Sequence, residues 1–107
     1  MIENHLELFV VLIMGHLIGD FVLQSDRMAI EKCPGKDKTL NWSWWLSGHA
    51  STHALLVYFV TGNIAACLSE FICHFAIDFM KCRHKFRLST DQLLHALCKV
   101  IWVYIII

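Results

Sequence analysis

The stretch Leu6–Gln24, LELFVVLIMGHLIGDFVLQ, is apolar enough to cross a bilayer, yet it carries His16 and Asp20 four residues apart. A four-residue step places both side chains on one face of a helix, so the segment presents a polar stripe one turn long. The same step recurs in each of the other apolar segments, as His49/His53, His74/Asp78 and Asp91/His95. Ionisable groups at such depth need a shared purpose.

Composition sets the scale. The chain has 107 residues, 57% of them hydrophobic, with a mean hydropathy of +0.55, too oily for an ordinary soluble domain. We read residues 1–107 as a single integral membrane domain, an all-α four-helix transmembrane bundle. Spans of about 20 residues each use about 80 residues, which leaves modest loops and no room for a soluble catalytic domain. The expected spans are residues 6–24, 46–61, 64–80 and 89–107. The amino terminus lacks the basic start of a secretory signal, so the first span is expected to stay attached. Pro34-Gly35 marks a turn, Trp42, Trp44 and Trp45 mark re-entry at the headgroup level, and Gly62-Asn63 makes a tight reversal. Ser89 or Thr90 is placed to cap the last helix, and Trp102 and Tyr104 to sit near the far interface.

The formal net charge of zero conceals segregation. Arg27, Lys32, Lys36 and Lys38 lie between the first two spans and Lys81, Arg83, Lys85 and Arg87 between the last two, with Lys99 the exception. Basic loops stay in the cytoplasm, so both termini are expected outside, in a multi-pass protein of the inner (cytoplasmic) membrane. A soluble four-helix bundle with a greasy surface is the competing fold; the runs Leu8–Met14 and Val100–Ile107 argue against it. The cysteines show no CxxC spacing, and all five are expected as free thiols.

Depth counted from the basic ends, at about 1.5 Å per residue, puts Asp20, His49, Asp78 and Asp91 in a shallow layer. His16, His53, His74 and His95 form a second layer about 6 Å deeper by the same rise. Glu70 and Lys99 lie one turn further in and are candidates for a buried ion pair. Each charged residue facing lipid alone costs about 2.5–3.5 kcal/mol at a span centre, so convergence on a common interior is favoured. Gly15 and Gly19, and likewise Gly48 and Thr52, give small-residue steps that let helices approach.

The eight residues of the two layers make a ligand set for one or two transition-metal ions, with zinc, iron or manganese favoured by mixed imidazole and carboxylate donors. Carboxylate-bridged metal pairs in four-helix bundles use such inward projection. Gln24 and Gln92, with Glu70 and Lys99, are candidates for orienting the ligands. A metal-free polar network holding the helices in register is the plainer alternative. His5 and His84 read as solvated. The basic loops are topological signals first; an anionic lipid or nucleotide at Lys81, Arg83, Lys85 and Arg87 is a second role.

These motifs resemble a family of small integral membrane proteins of bacteria and their phages, classed as a domain of unknown function. The matching stretches are HLIGDFVLQSDRMA (His16–Ala29), the HxxxH of His49 to His53, HFAIDFMK (His74–Lys81) and DQLLHAL (Asp91–Leu97). The resemblance implies a membrane protein with a shared site at His16, Asp20, Gln24, His74, Asp78, Asp91, Gln92 and His95, and supplies no reaction. A more distant likeness is to bacterial membrane proteins labelled metal-dependent hydrolases.

The leading functional reading is a metal-dependent hydrolase at the cytoplasmic leaflet, with Asp78 or Asp91 as general base and a phosphate-containing lipid or nucleotide as substrate. A divalent-cation carrier or sensor is the first alternative. A non-enzymatic phage or bacterial membrane accessory protein is the second. The lipid bilayer is the expected partner, a homo-oligomer is compatible with the sequence, and nucleic acid is not expected.

Overall fold

The computed structural model describes residues 3–84 and 87–106, and those residues fold as helices without a strand. α1 (His5–Leu17) runs on into a π-helical turn, Ile18–Val22; α2 is short (Asp26–Glu31); α3 spans Trp42–Thr61, α4 Ile64–His84 and α5 Leu88–Ile106. The four long elements form a closed ring in which α1 packs on α3 and α5, and α4 on α3 and α5. α2 lies against α3 at the loop end.

Local chemistry sets the boundaries. Asn4 caps α1 by accepting from the Glu7 N–H, Ser25 caps α2 through Met28, and Asn41 caps α3 through Ser43. Gly62 ends α3 with φ +66°, a left-handed conformation that a side chain disfavours. Asn63 then accepts from the Ala66 N–H at 3.0 Å to start α4. Gly35, at φ +87°, closes the expected Pro34-Gly35 turn.

Several boundaries differ from the sequence reading. Trp42, Trp44 and Trp45 lie inside α3, because the Asn41 side chain and the Asp37 carboxylate satisfy its first amides four residues earlier than expected. Ser89 and Thr90 fall within the first turn of α5, which starts at Leu88, so neither stands ahead of the helix as a cap. The first connection contains α2, because Ser25 and the run Asp26–Glu31 carry their own cap and helix-forming residues. The expected free thiols at Cys33 and Cys82 are corrected. The two form a disulfide, with Cα atoms 5.3 Å apart, because the chain just after α2 returns to the end of α4; Cys67, Cys73 and Cys98 are free. Lys85 and Ile107 lie outside the described residues.

Burial is inverted relative to a water-soluble bundle. Buried positions include His16, His49, His53, Glu70, His74, Asp78, Asp91, His95 and Lys99, whereas Leu6, Val22, Phe59, Ile72, Leu93 and Ile105 stand more than half exposed. Every long element presents large apolar side chains outward, far more than the isolated exposed residues normal on a soluble protein. Of the four expected spans, only the first, His5–Val22, is long and apolar enough by length and composition to cross a membrane among the described residues. The polar interior occupies the loop half; the other half holds an apolar core of Leu8, Leu12, Val57, Ala66, Trp102 and Val103.

Candidate metal centre

Each helix contributes its polar side chains from one buried stripe. On α4 the stripe is Glu70, His74 and Asp78; on α5 it is Asp91, His95 and Lys99. α3 alternates small and polar residues, His49, Ala50, His53 and Ala54, all buried. α1 ends in the π turn, whose widened geometry is common at functional sites and here carries Gly19 and Asp20. Gly19 has a steric task as well. A Cβ there would lie 2.5 Å from Cε1 and 2.7 Å from Nε2 of His53.

Asp20 is the hub. Its Oδ1 lies 2.9 Å from His53 Nε2 and 3.1 Å from His49 Nε2, and its Oδ2 lies 3.3 Å from His16 Nε2. Gln92 Nε2 donates to Oδ2 at 2.9 Å. Asp78 is a second hub, with Oδ2 at 3.2 Å from His49 and 3.4 Å from His74, and Oδ1 at 3.1 Å from His95. The two layers expected from helical rise are therefore merged. Side-chain reach, together with the π turn at Asp20, interleaves carboxylates and imidazoles in one cluster.

Charge balance separates the carboxylates. Asp78 faces Lys32 at 3.1 Å, Asp91 faces Lys81 at 3.4 Å and Glu70 faces Lys99 at 2.6 Å. Asp20, largely buried, meets no Lys or Arg among the described residues; only imidazoles and Gln92 surround it. A buried carboxylate without a compensating cation is costly, and an imidazolium or a metal ion beside it would lower that cost.

The donor set fits a metal. Ligand atoms of Asp20, His49, His53 and His74 all lie within 4.8 Å of one another, as do those of His16, His74 and His95, and of Asp20, Asp91 and His95. His49 Nε2 and His74 Nε2 face each other at 3.2 Å. His16 Nδ1, His95 Nδ1 and Asp91 Oδ1 are buried without a hydrogen-bond partner, and such atoms cost about 1–3 kcal/mol each unless a ligand or water satisfies them.

Beneath the cluster lies a supporting tier. Glu70 Oε2 lies 2.9 Å from His74 Nδ1, while Oε1 accepts from Lys99 Nζ at 2.6 Å and from Trp102 Nε1 at 2.9 Å. This is the arrangement by which carboxylates orient imidazole ligands. Gln24, another expected orienting residue, turns away from the imidazoles; it donates to the Asp20 carbonyl and accepts from Lys32.

The comparisons place the chain. Residues 8–107, which contain every side chain of the cluster, match the family model described as "Protein of unknown function (DUF3307)". The chain belongs to the DUF3307 family. No curated protein and no solved structure matches it.

In this DUF3307 chain the structure brings together His16, Asp20, His49, His53, His74, Asp78, Asp91 and His95, with Gln92 and Glu70 in contact with them and Lys99 paired with Glu70. Sequence reading missed three contributors. Lys32 is only 8% exposed and points into the cluster, but a lysine in a basic loop carries no signal of burial. Lys81, read as part of a possible anion site, pairs with Asp91, and Trp102, expected near the far interface, is instead buried on Glu70. Both stand three residues beyond Asp78 and Lys99 on their stripes, a helical spacing that would have pointed to both. Arg83 stacks instead over Phe79, 5.9 Å from the ring centre, and Arg87 is exposed.

Proposed function

We propose that this DUF3307 chain is a four-helix protein of the inner membrane, with its basic loops in the cytoplasm and a divalent transition metal at the His/Asp cluster. In this reading it acts as a metal-dependent hydrolase of a phosphate-containing lipid or nucleotide. The observation that carries the proposal is the convergence of Asp20, His49, His53 and His74 donors within 4.8 Å. Its position inside a bundle with an apolar exterior supports the membrane assignment.

A bound divalent ion would supply a water of lowered pKa as nucleophile. Asp20, His49, His53 and His74 would hold that ion, with His16 and His95 beside it. Asp78 is engaged by three imidazoles and Lys32, which suits it to orient ligands. Asp91 Oδ1 accepts no hydrogen bond and lies 3.4 Å from His95 Nε2, which suits it to act as the proton acceptor.

One observation favours hydrolase over carrier. Beyond Glu70, Lys99 and Trp102 the interior is closed by Leu8, Leu12, Val57 and Val103, so among the described residues no buried imidazole or carboxylate continues the path. Reconstituted, metal-loaded protein should hydrolyse a phosphate ester, and Asp91→Asn should lose that activity while retaining metal. Metal-bound native protein inert toward phosphomonoesters, phosphodiesters and phosphatidic acid would overturn the hydrolase reading, and ion uptake into liposomes would establish the carrier.

A further inference from the structure

At the loop end the bundle opens through a cleft of about 430 Å³, lined by Gln24, Lys32, Lys36 and Lys81 and walled by the Cys33–Cys82 disulfide. Its size lies within the range of small-molecule sites. The lining is strongly basic. Lys32 Nζ lies 2.7 Å from Gln24 Oε1 and 3.1 Å from Asp78 Oδ2, and Lys81 Nζ lies 3.4 Å from Asp91 Oδ2. Lys36 is exposed and makes no ion pair among the described residues. The disulfide joins the residues that directly follow Lys32 and Lys81, so it fixes both lysines in the same wall.

Two of these ammonium groups rest on carboxylates of the cluster directly below. Lys36, which makes no ion pair among the described residues, and the sides of Lys32 and Lys81 that line the cleft are left to meet an anion. Three ammonium groups around one opening match the several oxygens of a phosphate better than the two of a carboxylate, and lysine binds phosphate as a point charge. Exposed Phe21, Val22, Leu23 and Met80 flank this end, leaving the opening within reach of a lipid headgroup as well as of a soluble ligand.

We propose that the cleft formed by Gln24, Lys32, Lys36 and Lys81 binds a phosphate group and holds it over Asp78 and Asp91. The proposal rests on the metal-centre reading, since it places the phosphate beside that centre. The site differs from the exposed arginines of the second basic loop, because it draws lysines from both loops.

The test uses the full chain in nanodiscs, with metal content measured on the same samples. Binding of inorganic phosphate is followed by calorimetry, and binding of phosphatidic acid by comparing vesicles with and without that lipid. Saturable binding is expected, weakened about ten- to hundred-fold in Lys81→Met, as the loss of a charge-assisted hydrogen bond implies. Lys36→Met should also weaken it, with metal content unchanged, and Lys36→Arg should restore it. Phosphate binding alone assigns a soluble ligand; phosphatidic acid binding alone assigns a headgroup. Absence of both from folded native protein, or equal binding by all variants, overturns the cleft. Lysine-dependent binding by metal-free protein upholds the cleft and removes the metal reading, whereas stoichiometric metal without phosphate binding does the reverse.

Discussion

Glu70 Oε2 lies 2.9 Å from Nδ1 of His74, one helical turn away, and this leaves the other ring nitrogen, Nε2, turned toward His49. The carboxylate therefore sets the direction of a candidate ligand without entering the cluster itself. Glu70→Gln should weaken zinc binding by about ten- to hundred-fold, the usual effect of losing such an orienting partner. Competition titration with a chromogenic chelator reads this directly, and unchanged affinity would show that Glu70 has no orienting part. Lys99→Met should destabilise the fold by about 3–5 kcal/mol, because it strands a buried carboxylate. The double variant Glu70→Gln/Lys99→Met should recover much of that loss in a denaturation series.

Gly19 allows the π turn to pass under the His53 ring. In Gly19→Ala a methyl would sit 2.5 Å from Cε1 of His53, so the ring or the helix must move. Overpacking of this kind costs about 1–3 kcal/mol. The expected result is a lower melting temperature together with weakened metal binding, whereas Gly15→Ala, which meets only Leu56 Cβ at 3.9 Å, should leave both near native values.

Much of this interior is legible from spacing. The stripes on α1, α3, α4 and α5 follow from four-residue steps, and the Glu70–Lys99 pair forms as depth counting predicts. What spacing cannot give is reach between segments distant in sequence. Lys32 enters the cluster because the chain just after α2 returns to the end of α4, and the Cys33–Cys82 pairing depends on the same return. Asp20 stands on a π turn, and a local hydrophobic pattern does not distinguish that turn from ordinary helix.

The disulfide and the proposed orientation lead to a joint prediction. Denatured, unreduced protein should react at three thiols, Cys67, Cys73 and Cys98, and at five after reduction, as counted by mass after alkylation. Impermeant maleimide in sealed membranes decides the side. Cytoplasmic basic loops predict Cys33 and Cys82 reached from that side as reduced thiols, because a reducing cytosol opposes a disulfide, whereas a disulfide persisting in the cell contradicts the assigned orientation. A carboxy-terminal reporter active only in the cytoplasm would contradict the assigned orientation.

Glu31 closes the first basic loop. The backbone N–H groups of Lys38 and Thr39 donate to its carboxylate and hold its pKa below the ordinary value of 4.5. A depressed carboxylate pKa means that the tie is present above the unfolded value and is lost as pH falls through the lower folded value. Protection from hydrogen exchange at Lys38 and Thr39, relative to the intrinsic rate at each pH, should therefore fall only below about pH 4, and Glu31→Gln should show lower protection already at neutral pH. Equal exchange in both proteins at pH 7 would remove Glu31 from this role.

The central claim is that Asp20, which meets no lysine or arginine among the described residues, is balanced by a metal ion held with His49, His53 and His74. Elemental analysis of detergent-purified protein tests it most directly, comparing the native chain with Asp20→Asn and His74→Ala. The prediction is one or two equivalents of zinc, iron or manganese per native chain, falling well below one in both variants. Well-folded native protein that holds no stoichiometric transition metal, even after reconstitution with each ion, would contradict it.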